Sequence, residues 1–151
     1  MASFSHPTPL RPVGACGLLL VLAALVLAAC SSPLSMEPIK PDPGIAANLA
    51  VVQAKTEDLF AELGRNAAMP FADYDAIHYR PLLEVLMEAR RLAVLHERPD
   101  REIKMLDDLR ATYEDMRTSH RQGKLSFESL QTYRKKLAGQ IDGLMRLEQA
   151  Q

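Results

Sequence analysis

From Ile45 to Leu147 the apolar residues of this chain recur mainly at intervals of three, four and seven, and prolines interrupt the run only at Pro70, Pro81 and Pro99. That period matches the 3.6 residues of a helical turn, so each segment presents one apolar stripe that other helices must cover. Strand-like alternation is absent. Ile45, Leu49, Val52, Leu59 and Leu63 define a first helix running to about Asn66, with Thr56 the skipped position. Pro70 closes it, because proline disfavours helix in the residue before it. A second segment covers residues 73–97, with Asp73 as its N-cap and Tyr74, Ile77, Leu82, Val85, Leu86, Ala89, Leu92 and Leu95 or His96 on the buried side. Pro81 leaves two readings: the helix kinks there, or residues 74–80 form a separate turn and the main helix starts at Pro81. The kink is favoured.

Pro99, Asp100 and Glu102 open a third helix with a pre-set φ and negative charge at its positive end. Its stripe is Ile103, Leu106, Leu109, Tyr113, Met116 and His120, and Gly123 suits a left-handed cap at its end. Ser126 is the N-cap of a fourth helix, and Leu125 and Leu130 stand at the spacing of a hydrophobic staple. Phe127, Leu130, Leu137, Ile141, Leu144 and Leu147 point inward from it. Loops this short join neighbouring helices, so the expected fold is all-α: a small antiparallel bundle of three to four helices over residues 44–151. No period of 20 to 50 residues repeats in the manner of a helical solenoid.

The N-terminal part of the chain has a different composition. Residues 13–29 form a 17-residue stretch without charge, preceded by a segment carrying Arg11 and ending in small residues. This is the three-part order of an export signal. The competing reading is a transmembrane helix, for which 17 residues is at the short limit, about 20 being needed.

The closing residues Leu27-Ala28-Ala29-Cys30 resemble the lipobox of bacterial lipoproteins. The resemblance covers only this targeting segment. It implies that signal peptidase II recognises Leu27, Ala28 and Ala29 and cuts before Cys30 after the thiol is diacylated. Residues 1–29 are then the signal peptide, and Cys30 becomes the first residue, lipidated with palmitate-like chains. Ser31, standing where an Asp would favour retention at the inner membrane, implies the periplasmic face of the outer membrane; the inner membrane is the alternative. Two or more acyl chains hold a protein durably, whereas one anchors only marginally. Cys16 leaves with the leader, so no disulfide forms within a mature chain.

Residues 30–43 carry Pro33, Pro38, Pro41 and Pro43, which deny backbone donors and exclude helix, and they read as a lipidated Pro-rich tether. Extended at about 3.1 Å per residue it reaches roughly 40 Å; a disordered spacer without a fixed length is the alternative. Removing residues 1–29 leaves 122 of the 151 residues, one domain's worth. The remaining 17 Lys and Arg against 19 Asp and Glu give a charge of −2, which argues against a general nucleic-acid binder.

His78, His96 and His120 stand in no metal-binding spacing, and no cofactor motif is present. Asp73 and Asp75 beside Tyr74, with Glu84 and Glu88 one turn apart, have the makings of an acid–base pair, but exposed helix faces look the same. No Gly-rich phosphate loop or nucleophile motif occurs, so no catalytic residue is assigned and a non-enzyme is expected. The most distinctive charge pattern is Arg117, His120, Arg121, Lys124, Arg134, Lys135 and Lys136, with Glu128 the only acid between them. Arg117, Arg121, Lys124, Lys135 and Lys136 are the candidate interaction patch, for an acidic partner, anionic lipid or polyanionic envelope polymer; a merely solvated helix face is the other reading. The expected function is that of an accessory or structural envelope protein, anchored at Cys30 and working through an envelope protein partner. A pilotin-like chaperone for a secretion-system subunit, and an envelope hydrolase or its regulator, are the alternatives.

Overall fold

The computed structural model describes residues 40–66 and 69–149; the leader, Cys30 and most of the expected tether lie outside the described residues. The first helix, α1 (Pro43–Arg65), begins where Asp42 Oδ1 accepts the N–H groups of Gly44 (2.9 Å) and Ile45 (3.1 Å). Pro43 stands at its first position, where a missing donor costs nothing. The helix therefore starts one residue inside the segment read as tether.

Helix α2 occupies residues 71–95 in three parts: Phe71–Tyr74, a π turn at Asp75–Tyr79, and Arg80–Leu95. Helix α3 is Asp100–Arg121 and α4 is Phe127–Gln149. Helix α1 packs against α2 and α4, and α3 packs against the same two. Contacts at both ends, described below, show that successive helices run antiparallel. The expected all-α bundle is present with four helices and, among the described residues, no strand. Its interior is filled by fully buried side chains from every helix, among them Leu49, Leu59, Leu82, Leu86, Leu106, Leu109, Tyr113 and Leu137. Each such leucine contributes about 1.5–3 kcal/mol relative to an exposed one.

The treatment of Pro81 comes close to the second reading, with a separate turn at Asp75–Tyr79 and Pro81 in the first turn of the regular helix Arg80–Leu95, but the turn is a π turn continuous with that helix. Helical backbone runs through it, and the irregularity lies before it, where the Arg80 N–H reaches the Asp75 carbonyl five residues back. A proline in a regular helix clashes with the carbonyl four residues earlier, and the wider turn relieves that crowding. The extra residue also shifts the phase of the stripe by about 100°. Tyr74 and Asp75 face inward before it and Tyr79 and Leu82 after it, so Ile77, expected inside, is 58% exposed.

Other expectations are corrected at the helix ends. Pro70, not Asp73, precedes the first turn of α2, and Asp73 is an exposed acid within that turn. Ala93 continues the stripe of Leu86 and Ala89, which leaves Leu95 62% exposed and His96 outside as well. Phe127 lies about 80° around α4 from Leu137 and is 78% exposed. Thr56, read as a gap in the stripe, is buried.

The loop signals do operate. Gly123 adopts φ 67°, and the Lys124 and Gly123 N–H groups return to the carbonyls of Ser119 and His120. This is the paired bonding of a Schellman cap. The Ser126 hydroxyl accepts the Ser129 N–H at 3.1 Å, while Leu125 and Leu130 are half-buried against the core. The α2–α3 loop repeats the cap with Glu97 at φ 52° in the glycine position, bonded through Glu97 N–H to Val94 and Arg98 N–H to Ala93.

Candidate functional site

The end of the bundle where the chain arrives from the tether is organised by Arg98. Its side chain is 8% exposed, on the loop immediately after the α2 cap. Nε lies 3.1 and 2.9 Å from the two carboxylate oxygens of Glu102, one guanidinium nitrogen bonds Glu148 Oε1, and the other bonds the Lys40 carbonyl. Glu148 uses its second oxygen to accept the Asp42 N–H, and the Asp42 carboxylate pairs with His96 Nδ1. The start of α1, the end of α2, the start of α3 and the end of α4 are thereby joined.

Glu102 is fully buried and Glu148 nearly so. Buried charge survives only when paired, and here one guanidinium serves two carboxylates. Burial, reinforced by Glu148, pushes the Glu102 carboxyl above its ordinary range despite Arg98. At Asp42 burial acts in the same direction, but bonds from His96, Ile45 and Gly44 outweigh it and hold the carboxyl below its usual range.

The opposite end is held by a second ion pair and an aromatic cluster. Asp75, in the π turn, receives Arg117 Nε and Nη2 at 2.5 and 2.9 Å and Arg80 Nε at 3.1 Å. The Arg117 bond is the main reason its carboxyl sits below the usual range. The His120 ring packs edge-on against Phe71, Tyr74 and Tyr79 at 5.4, 4.8 and 5.9 Å between centroids, with Nδ1 3.2 Å from the Tyr79 hydroxyl. Burial lowers its pKa. Tyr74 caps α1 by reaching the carbonyls of Glu62 and Asn66 at 3.0 and 2.7 Å. Between the two ends, the Thr56 hydroxyl donates to the Val52 carbonyl at 2.6 Å and so accepts from the Tyr113 hydroxyl.

The acids considered as a catalytic pair do not converge. Asp75 is engaged by two arginines, Glu88 is gripped by Arg91, and Asp73 and Glu84 are exposed. Of the candidate basic patch, Arg117 is occupied by Asp75, and Arg121 and Lys124 are exposed near the α3–α4 turn. Lys135 and Lys136 line hollows between α3 and α4, Lys136 in company with Asp115, while Arg134 lies over the Phe60 ring at 5.7 Å. Among the described residues no group of three or more His, Cys, Asp or Glu is placed to hold a metal ion, and no helix is long and apolar enough to cross a membrane.

Two of the surface hollows among the described residues combine apolar lining with charged rims. A groove of about 440 Å³ between α1 and α4 is floored by Phe60, Ala61, Ala138 and Ile141 and rimmed by Glu57, Arg134 and Asp142. A second, of about 430 Å³ between α2 and α3, is lined by Met87, Val94 and Leu95 with Arg90, Arg91 and Arg110.

The reading of the sequence missed the Arg98 cluster, although a signal for it exists. Glu102 lies about 20° around its helix from Leu109, and Glu148 about 20° from Leu137. Both acids occupy stripe positions, whereas Ile103 and Leu147, taken as inward, are half-buried. Leu27, Ala28, Ala29 and Cys30 lie outside the described residues. Compared with models of known protein families, with curated proteins and with solved structures, the chain matches none.

Proposed function

We propose that this protein is a lipid-anchored helical lipoprotein of the bacterial envelope, held at Cys30 on the periplasmic face of the outer membrane and acting as a non-enzymatic accessory or structural interaction protein. The observation that carries the reading is Leu27-Ala28-Ala29-Cys30 placed ten residues before Lys40, whose carbonyl is bound by Arg98. A pull along the tether is shared by four helix ends instead of unravelling α1. The ionisable groups with shifted titration at the two ends serve in the same way: Asp75 and Glu102 tie helices together, which supports a scaffold more than a reaction centre. Photo-crosslinking in intact cells, with probes on the exposed faces, tests it. Capture of one envelope protein at defined positions supports the reading, and a substrate-like small molecule turned over by the purified domain contradicts it.

The pilotin-like chaperone is the second reading: the α1–α4 groove, in which exposed Ala61 and Ala138 flank the edges of the core residues Phe60 and Ile141, is where a client segment would lie. Crosslinks from Glu57 and Ala138 to a secretion-machine subunit would select it.

A further inference from the structure

We propose that the hollow between α2 and α3, walled by Met87, Val94 and Leu95, docks on the phospholipid surface that holds the anchor. The inference rests on the lipid-anchor reading.

Its first support is position. Leu95 precedes His96, which pairs with Asp42, so the exposed apolar residues begin at the end of the bundle where the tether is pinned. Ten residue steps separate Cys30 from Lys40, and fully extended they span at most about 35 Å. That is about the length of one bundle helix at 1.5 Å per residue. A face at this end is kept within reach of the bilayer at an effective concentration in the millimolar range, so a weak surface affinity suffices.

The second support is chemistry. Met87, Val94 and Leu95 are 49, 51 and 62% exposed and share one hollow, a clustering that sets them apart from scattered surface residues. Around them stand Arg90, Arg91 and Arg110, long stems that follow apolar surface while the guanidinium reaches phosphate. Their present partners are Asp107, Glu88 and Glu114: Arg90 and Arg91 each make two bonds to a half-buried carboxylate, Arg110 makes one longer contact, and all three pairs stay open enough to solvent for phosphodiester headgroups to compete for the same guanidinium donors.

The test fixes the anchor chemically. Residues 38–151 form a unit with its own core, so the chain from Cys30 onward, coupled through that thiol to a maleimide lipid, is compared on phosphatidylethanolamine–phosphatidylglycerol vesicles and free in dilute solution by hydroxyl-radical footprinting. Oxidation of Met87 and Leu95 should fall about tenfold on tethering, while Phe127, exposed at the other end, should be unchanged. Val94→Glu should restore most of the lost oxidation at Met87 with an unchanged melting temperature. Equal oxidation of Met87 on vesicles and in solution overturns the proposal, as does protection in solution that grows with protein concentration, which assigns the face to a second copy. Because coupling replaces cellular lipidation, docking can fail while the anchor reading stands, and the reverse.

Discussion

Arg117 of α3 places two guanidinium nitrogens on the Asp75 carboxylate in the π turn of α2. The pair ties the irregular turn to the neighbouring helix, whereas Arg80, on the same carboxylate, is 61% exposed and makes a single bond. Arg117→Ala should therefore cost about 1–2 kcal/mol, reduced from the value of a fully buried pair by its partial exposure, and Arg80→Ala under about 1 kcal/mol. Denaturant unfolding of the two variants checks the order. The Asp75 carboxyl is held below its usual range, so this stabilisation is present at neutral pH and disappears as the pH falls below about 4 through the folded-state value.

Glu102 should behave in the opposite sense. Its carboxyl is raised by burial, so its stabilising contribution is complete below the unfolded value of about 4.3 and declines as the pH rises through the folded one. Glu102→Gln should flatten that decline, seen as a smaller loss of unfolding free energy between acid and neutral pH than in the native chain. Arg98→Met leaves two buried carboxylates without a cation and should cost about 3–5 kcal/mol at neutral pH.

How far the fold was legible follows from particular residues. Leu106, Leu109 and Leu137 lie where the helical period puts them, because a stripe sampled over six turns fixes its own phase. The π turn leaves no compositional trace: one inserted residue turns Ile77 out and Tyr79 in, and only the crowding at Pro81 hints at it. Glu102 reads from the sequence only as negative charge at the start of the third helix, and Glu148 gives no sign of burial, since acids are usually exposed; what makes them burial-competent is Arg98, which meets Glu148 only after the ends of α3 and α4 come together. The basic cluster dispersed for the same reason, since Arg117's acidic partner lies 42 residues away in sequence.

The Thr56–Tyr113 pair should show non-additive energetics. Thr56→Val strands the buried Tyr113 hydroxyl and should cost about 1–3 kcal/mol, whereas Tyr113→Phe leaves Thr56 its bond to Val52 and should cost about 0.5–1.5 kcal/mol. The double variant should be no worse than Thr56→Val alone, and a double-mutant cycle measures the coupling.

At the α2–α3 cap, Glu97→Gly should raise stability by about 0.5–1 kcal/mol, because the left-handed φ costs a side chain more than glycine's added freedom in the unfolded chain. Gly123→Ala, at the corresponding position after α3, should lower stability by about 1 kcal/mol. Melting curves of the two variants, shifted in opposite directions, are the check.

The most direct measurement of the anchored-bundle account is the mass of the N-terminal peptide of the protein extracted from bacterial membranes. The account predicts a chain that begins at Cys30, lacks residues 1–29 and carries a diacylglyceryl thioether with an N-acyl group. An intact Met1 N-terminus with an unmodified Cys30 would contradict it.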